Sequence, residues 1–182
     1  MKTESTVKYV LRLALILLAI TAVVAALLAF VNSVTAPVIE KLNAEKTQQA
    51  IEAVLPGGGE SVPFTDASGL VSVVYKGEAG YAVQVAPAGF DGPITMMVGV
   101  DFDGNVLGIS IIKHTETAGL GAVAAATTSA GENFRGNFEG LSGSVAVTKD
   151  GGEVEAITGA TITSRAVCAG VNAALDCVAG MG

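Results

Sequence analysis

From Leu13 to Val31 the chain runs nineteen residues without a charge, and Thr21 is the one polar side chain among them. At about 1.5 Å of rise per residue a helix of that length crosses most of a bilayer core roughly 30 Å thick. The overall composition agrees: hydrophobic residues make up 51% of the 182 positions and the mean hydropathy is +0.58. That is high for a chain that meets only water. Lys2, Lys8 and Arg12 precede the run, which by the positive-inside rule sets the N-terminus in the cytoplasm and the remainder outside. A cleaved export signal is the competing reading, with Ser33-Val34-Thr35-Ala36 offering small residues for cleavage. Signal h-regions span about 7–15 residues, shorter than this run, so the length favours a retained anchor.

Beyond Arg12 the chain holds seven basic and sixteen acidic residues, a net of −9. An acidic domain without a basic cluster excludes nucleic acid as a partner, because phosphate backbones are held by grouped Lys and Arg. One histidine, His114, and two cysteines, Cys168 and Cys177, are too few for a Cys/His metal site or a disulfide framework. On a helix the two thiols lie nine residues apart, on opposite faces and about 13 Å from each other along the axis. They read as buried small residues that do not pair.

Pro37 is expected to interrupt the membrane helix. A second helix is expected over 38–55, with Ile39, Leu42, Ala50, Ala53 and Val54 on its apolar side, ended by Pro56-Gly57-Gly58-Gly59. It reads as a stalk with one packed face. The period then changes. Val71–Tyr75 and Tyr81–Val85 are rich in β-branched and aromatic residues, separated by turn chemistry at Lys76–Gly80. Ile94–Phe102 and Val106–Ile112 flank Asp103-Gly104-Asn105, a strong hairpin signal. Ser144–Thr148 and Val154–Ile157 are candidates for further strands. A helix closes the chain, with Val167, Val171, Ala174, Leu175 and Val178 as its apolar stripe. The expected fold is α+β: a single membrane anchor, then a mainly antiparallel sheet packed by helices. The organisation reads as tail and anchor over 1–36, a linking helix over 37–60, and a folded domain over 61–182.

Three short patterns remain: Ala88-Gly89-Phe90-Asp91-Gly92-Pro93-Ile94, His114-Thr115-Glu116-Thr117-Ala118-Gly119-Leu120-Gly121, and Thr158-Gly159-Ala160-Thr161-Ile162-Thr163-Ser164. Singly, each has an ordinary reading as strand entry, loop, or helix N-terminus. In this order, behind an export anchor, they resemble the FMN-binding domain family, and within it the RnfG branch from Rnf-type ion-translocating electron-transport complexes. The related NqrC branch of the sodium-pumping quinone reductase shares the loop and the threonine site. The similarity covers nearly the whole chain. Two positions depart from the family pattern: Ala118 stands for a proline, and Glu155 for an Asp three residues before Thr158.

The resemblance implies FMN held covalently through a phosphoester on Thr161, with Thr158, Gly159 and Ala160 completing the attachment motif. It further implies a flavin ring beside Glu116, Thr117, Gly119 and Leu120. A threonine hydroxyl needs a base to attack phosphorus, and none is close in sequence. Attachment then falls to a separate flavin transferase that moves FMN from FAD, working on a segment in which Gly159 and Ala160 offer little obstruction. The phosphate would sit at the start of the last helix, where free N–H groups and the dipole favour an anion, with Thr163 or Ser164 as N-cap. The implied role is an electron carrier among other membrane subunits of a ferredoxin:NAD oxidoreductase that moves Na⁺ or H⁺. It has no catalytic residues of its own, no metal, and no complete active site in this chain. The alternatives are an exported flavinylated protein outside such a complex and an interaction domain without cofactor.

Overall fold

A computed structural model describes residues 2–181, with side chains from Lys8 onward. The chain divides into two compact units between Ala44 and Glu45. The described residues of the first unit are helical and belong to α1, which runs Lys2–Val54. Its apolar side chains from Tyr9 to Leu42 are exposed, as a helix surrounded by lipid requires. The few hydroxyls here fold back onto the helix: Thr21 donates to the carbonyls of Leu17 and Leu18 at 3.0 and 2.9 Å, Ser33 to Phe30 at 2.7 Å, and Thr35 to Val31. Hydrocarbon offers them no other acceptor.

Pro37 does not interrupt α1, contrary to the sequence expectation, so the segment read as a second helix over 38–55 continues the first. A proline removes one N–H and crowds the carbonyl four residues back, here that of Ser33. The intrahelical bonds on either side of the missing one remain, and the helix continues through the defect.

In the second unit the sheet is a five-stranded antiparallel meander, β1 Glu60–Val62, β2 Val71–Lys76, β3 Gly80–Val85, β4 Thr95–Asp101 and β5 Val106–Lys113, paired in sequence order. The β4–β5 turn is the Asp-Gly-Asn hairpin the sequence marks. Asp101 Oδ1 accepts the N–H groups of Asp103 and Asn105 at 2.9 and 2.7 Å, and Gly104 takes φ +84°. These bonds, led by the one from the Asn105 side chain, hold the Asp101 carboxyl below its ordinary range.

Both faces of the sheet are covered. Val83, Val85, Met96, Val98 and Val100 join the larger core with Val167, Val171, Ala174 and Val178 of α3, Thr161–Ala179. Ala82 and Met97 face the other way, onto Ala50, Ile51 and Val54 at the end of α1 and onto Leu55. Two-sided burial explains why β3 and β4 read as almost unbroken apolar runs. Gly99 marks the closest approach, since a Cβ there would lie 2.4 Å from the Val54 carbonyl oxygen.

The segments 144–148 and 154–157 do not extend the sheet. They share only an isolated parallel bridge, Val147 with Val154, beside a 3₁₀ turn at Thr148–Asp150. The backbone of Val145 is satisfied instead by the Asn172 amide of α3, which accepts its N–H at 2.8 Å and donates to its carbonyl at 2.9 Å. A short helix, α2 Ser129–Gly136, carries Phe134, which meets Phe138 edge-on at 5.4 Å in the core. Arg135 of α2 donates to the carbonyls of Ala124 and Ala126, tying α2 to the 3₁₀ turn Gly121–Ala125.

Candidate functional site

The turn before α3 is shaped by Gly159, whose φ of +77° lies in the left-handed region that glycine adopts at no steric cost. Ala160 then occupies the N-cap position without a side-chain cap bond, and Thr161 is the first helical residue. The expected caps, Thr163 and Ser164, lie inside the first turn and bond elsewhere. Ser164 Oγ accepts the N–H of Ile157 and donates to the Ala160 carbonyl, both at 3.0 Å, which folds the turn back against the helix. Thr163 donates to Glu116 Oε2 at 2.5 Å. Among the described residues the amides of Thr161, Ile162 and Thr163 make no hydrogen bond, so the positive end of the helix faces outward beside the Thr161 hydroxyl.

Glu116 is 7% exposed and is neither a solvated loop carboxylate nor an idle one. Its Oε1 accepts the N–H groups of Phe90 and Asp91 at 2.8 and 3.3 Å, while Oε2 takes the Thr163 hydroxyl. Three separate segments meet on this one side chain. A Cβ at Gly89 or at Gly121 would fall 2.3 Å from one of its oxygens, so both positions have to be glycine for the carboxylate to fit. The glycines of the loop thus make room for Glu116.

Thr161 opens onto a pocket of about 320 Å³. Gly159, Ala160, Thr161, Glu116, Thr117 and Leu120 line it, six of the eight positions expected from sequence. The other two, Thr158 and Gly119, line a neighbouring hollow of about 350 Å³ with Phe134 and Ile157. Leu120 and Gly159 stand between the two: a Cβ on Gly159 would be 3.1 Å from Leu120 Cδ2. Sequence reasoning missed Phe90, Gly121, Lys149, Ile162 and Thr163 as further lining. Phe90 and Gly121 sit inside the quoted motifs and were within reach. Lys149 has no local signal and arrives through the fold.

The rim is apolar and open, with Phe90, Leu120 and Ile162 exposed by 66%, 43% and 52%. Lys149 Nζ donates to Thr161 Oγ1 at 3.4 Å. An apolar wall next to helix amides and an ammonium fits a ligand with an aromatic ring and a phosphate. His114 does not line this pocket, and its Nδ1 is buried without a partner. The two thiols are free and buried, and burial pushes Cys168 up to about 11, so neither is reactive near neutral pH.

Comparison with known proteins bears on this geometry. The FMN-binding domain family matches residues 89–176, which include every residue lining the pocket, and the RnfG N-terminal region matches 1–54. The chain is 38% identical to the G component of the Na(+)-translocating ferredoxin:NAD(+) oxidoreductase complex of Acetobacterium woodii, over 96% of this chain and 94% of that protein. The chain belongs to the RnfG family. A second RnfG relative, the G component of the ion-translocating oxidoreductase complex of Methanosarcina acetivorans, is 34% identical over 94% of this chain and 95% of its own length. The corresponding component of the proton-translocating ferredoxin:NAD(+) oxidoreductase complex of Clostridium ljungdahlii is 40% identical over 53% of this chain and 51% of that protein. The cofactor of the domain is FMN.

Proposed function

We propose that this chain is the electron-carrier subunit of an Rnf-type ferredoxin:NAD oxidoreductase coupled to Na⁺ or H⁺ translocation, with FMN bound covalently to Thr161. The observation that supports the attachment is the position of the Thr161 hydroxyl. It opens a helix, at the mouth of an apolar pocket, within reach of unbonded amides and an ammonium. Bound there, the flavin supplies the redox chemistry, and the protein supplies position and electrostatics. The Glu116 carboxylate fixes the Phe90 turn and Thr163 around the pocket.

In the transfer step Thr161 Oγ forms a bond to the FMN phosphorus of FAD while the bond from that phosphorus to the AMP oxygen breaks. The hydroxyl proton leaves to a base. Lys149 is an ammonium donor here and does not serve as that base, which supports a separate flavin transferase as the enzyme responsible. Residues 1–36 act as tail and anchor, 37–60 as the linking segment and 61–182 as the FMN domain. Lys2, Lys8 and Arg12 favour a cytoplasmic N-terminus and an extracytoplasmic domain. The partners are the other membrane subunits of the complex.

Co-expression with a flavin transferase followed by a denaturing gel tests the attachment. A fluorescent band for the unmutated chain, absent in Thr161→Ala, is the expected result. A dark band for the unmutated chain overturns it. Co-purification with multispanning membrane subunits tests the assembly, and recovery as an isolated monomer under gentle solubilisation counts against it.

A further inference from the structure

Lys149 approaches Thr161 from a part of the chain that no motif connects to it. It belongs to the 3₁₀ turn Thr148–Asp150, twelve residues upstream. The turn leads into Gly151, at φ +86°, and on to the Thr158–Ala160 segment. Its neighbour Asp150 interacts with it through charge but forms its hydrogen-bonded ion pair elsewhere. Both Asp150 oxygens are taken by Arg165, at 2.7 Å each, and among the described residues that is the one ion pair. Lys149 is an exposed cation outside any close ion pair among the described residues, in a domain where acidic residues outnumber basic ones, and its donor points at the hydroxyl that is to be modified.

We infer that Lys149 is the counter-cation of the flavin phosphate. It attracts the anionic nucleotide to Thr161 during transfer and pairs with the phosphodiester afterwards. This rests on the attachment at Thr161 proposed above. A phosphodiester carries one negative charge, and one ammonium beside the amides of Thr161 to Thr163 matches it. The Arg165–Asp150 pair matters because it occupies both oxygens of the acidic side chain nearest in sequence, which leaves the Lys149 ammonium free to hydrogen-bond toward Thr161. An arginine at 149 keeps the charge and much of the reach, whereas alanine removes it and glutamate reverses it.

The test is the rate of covalent flavin incorporation into the full-length chain in detergent, with FAD and a purified flavin transferase, for wild type, Lys149→Ala, Lys149→Glu and Lys149→Arg. Position 149 is exposed, so the variants fold. An exposed charge pair of this kind changes the second-order rate constant about two- to fivefold. The expected order is wild type and Lys149→Arg fastest, Lys149→Ala slower by that factor, and Lys149→Glu slower again. The gap between wild type and Lys149→Ala narrows as salt rises, because screening weakens the attraction. A gap that is the same at every ionic strength, or an arginine variant as slow as alanine, assigns Lys149 a packing role and overturns the inference. Equal rates for all four chains overturn it too while leaving attachment at Thr161 standing. Failure of the wild-type chain to take up flavin overturns the attachment and the inference together.

Discussion

Glu116 shows how a single side chain can organise the walls of a candidate pocket. Its two oxygens gather the Phe90–Asp91 turn and the first turn of α3. Removing it in Glu116→Ala leaves two amides and a hydroxyl unpaired, at a cost of about 3 kcal/mol. Thermal unfolding of the domain is expected to show a fall of several degrees, with flavin incorporation lost alongside; an unchanged melting temperature contradicts the role. Gly121→Ala attacks the same knot from the other side, since the added methyl overlaps both the carboxylate and the Thr163 hydroxyl. It is expected to mimic Glu116→Ala in both readouts. Asp101 offers a pH test. Its carboxyl is held below the ordinary 3.8, so its contribution is complete above that value and is lost as pH falls through the lower folded one. The stability difference between wild type and Asp101→Asn is expected to shrink as pH drops through this acidic range, and a difference that is flat with pH contradicts it. The Thr161 motif and the Glu116 loop were legible in sequence because they are contiguous. The partners of Glu116 were not, since they lie 25, 26 and 47 residues away and only the fold brings them together.

At the scale of elements, local periodicity carried most of the fold. The Asp-Gly-Asn turn, the β-branched runs and the stripe of α3 each specify their own structure, and each appears where the residues put it. Two expectations about strands and helices failed, each over where the backbone finds its partners. Pro37 sits inside a helix because a proline removes one intrahelical bond and leaves those on either side in place. The run at 144–148 does not join the sheet: the Asn172 side chain takes the backbone of Val145, and Ala146 and Thr148 bond to Val154. The seating of the α1 end on the sheet is open to direct test at Gly99. A methyl there meets the Val54 carbonyl, and Gly99→Ala is expected to destabilise the domain by about 1–3 kcal/mol in chemical denaturation. A neutral result contradicts the close packing.

For the whole molecule, the chain joins an apolar helix to an acidic FMN domain whose pocket rim is itself apolar. The rim residues Phe90, Leu120 and Ile162 give the proposed flavin pocket an exposed apolar edge. The proposed orientation leaves this domain outside the cytoplasm, so protease added to spheroplasts is expected to degrade it, and protection in intact spheroplasts contradicts the topology. Whether the redox group hangs from Thr161 is decided by tandem mass spectrometry of the flavinylated chain. Trypsin cleaves after Lys149 and Arg165 and releases one peptide containing Thr158, Thr161, Thr163 and Ser164. This peptide is expected to carry FMN, linked with loss of one water, on Thr161. Flavin on another of the four hydroxyls, or an unmodified peptide from the fluorescent protein, contradicts the attachment.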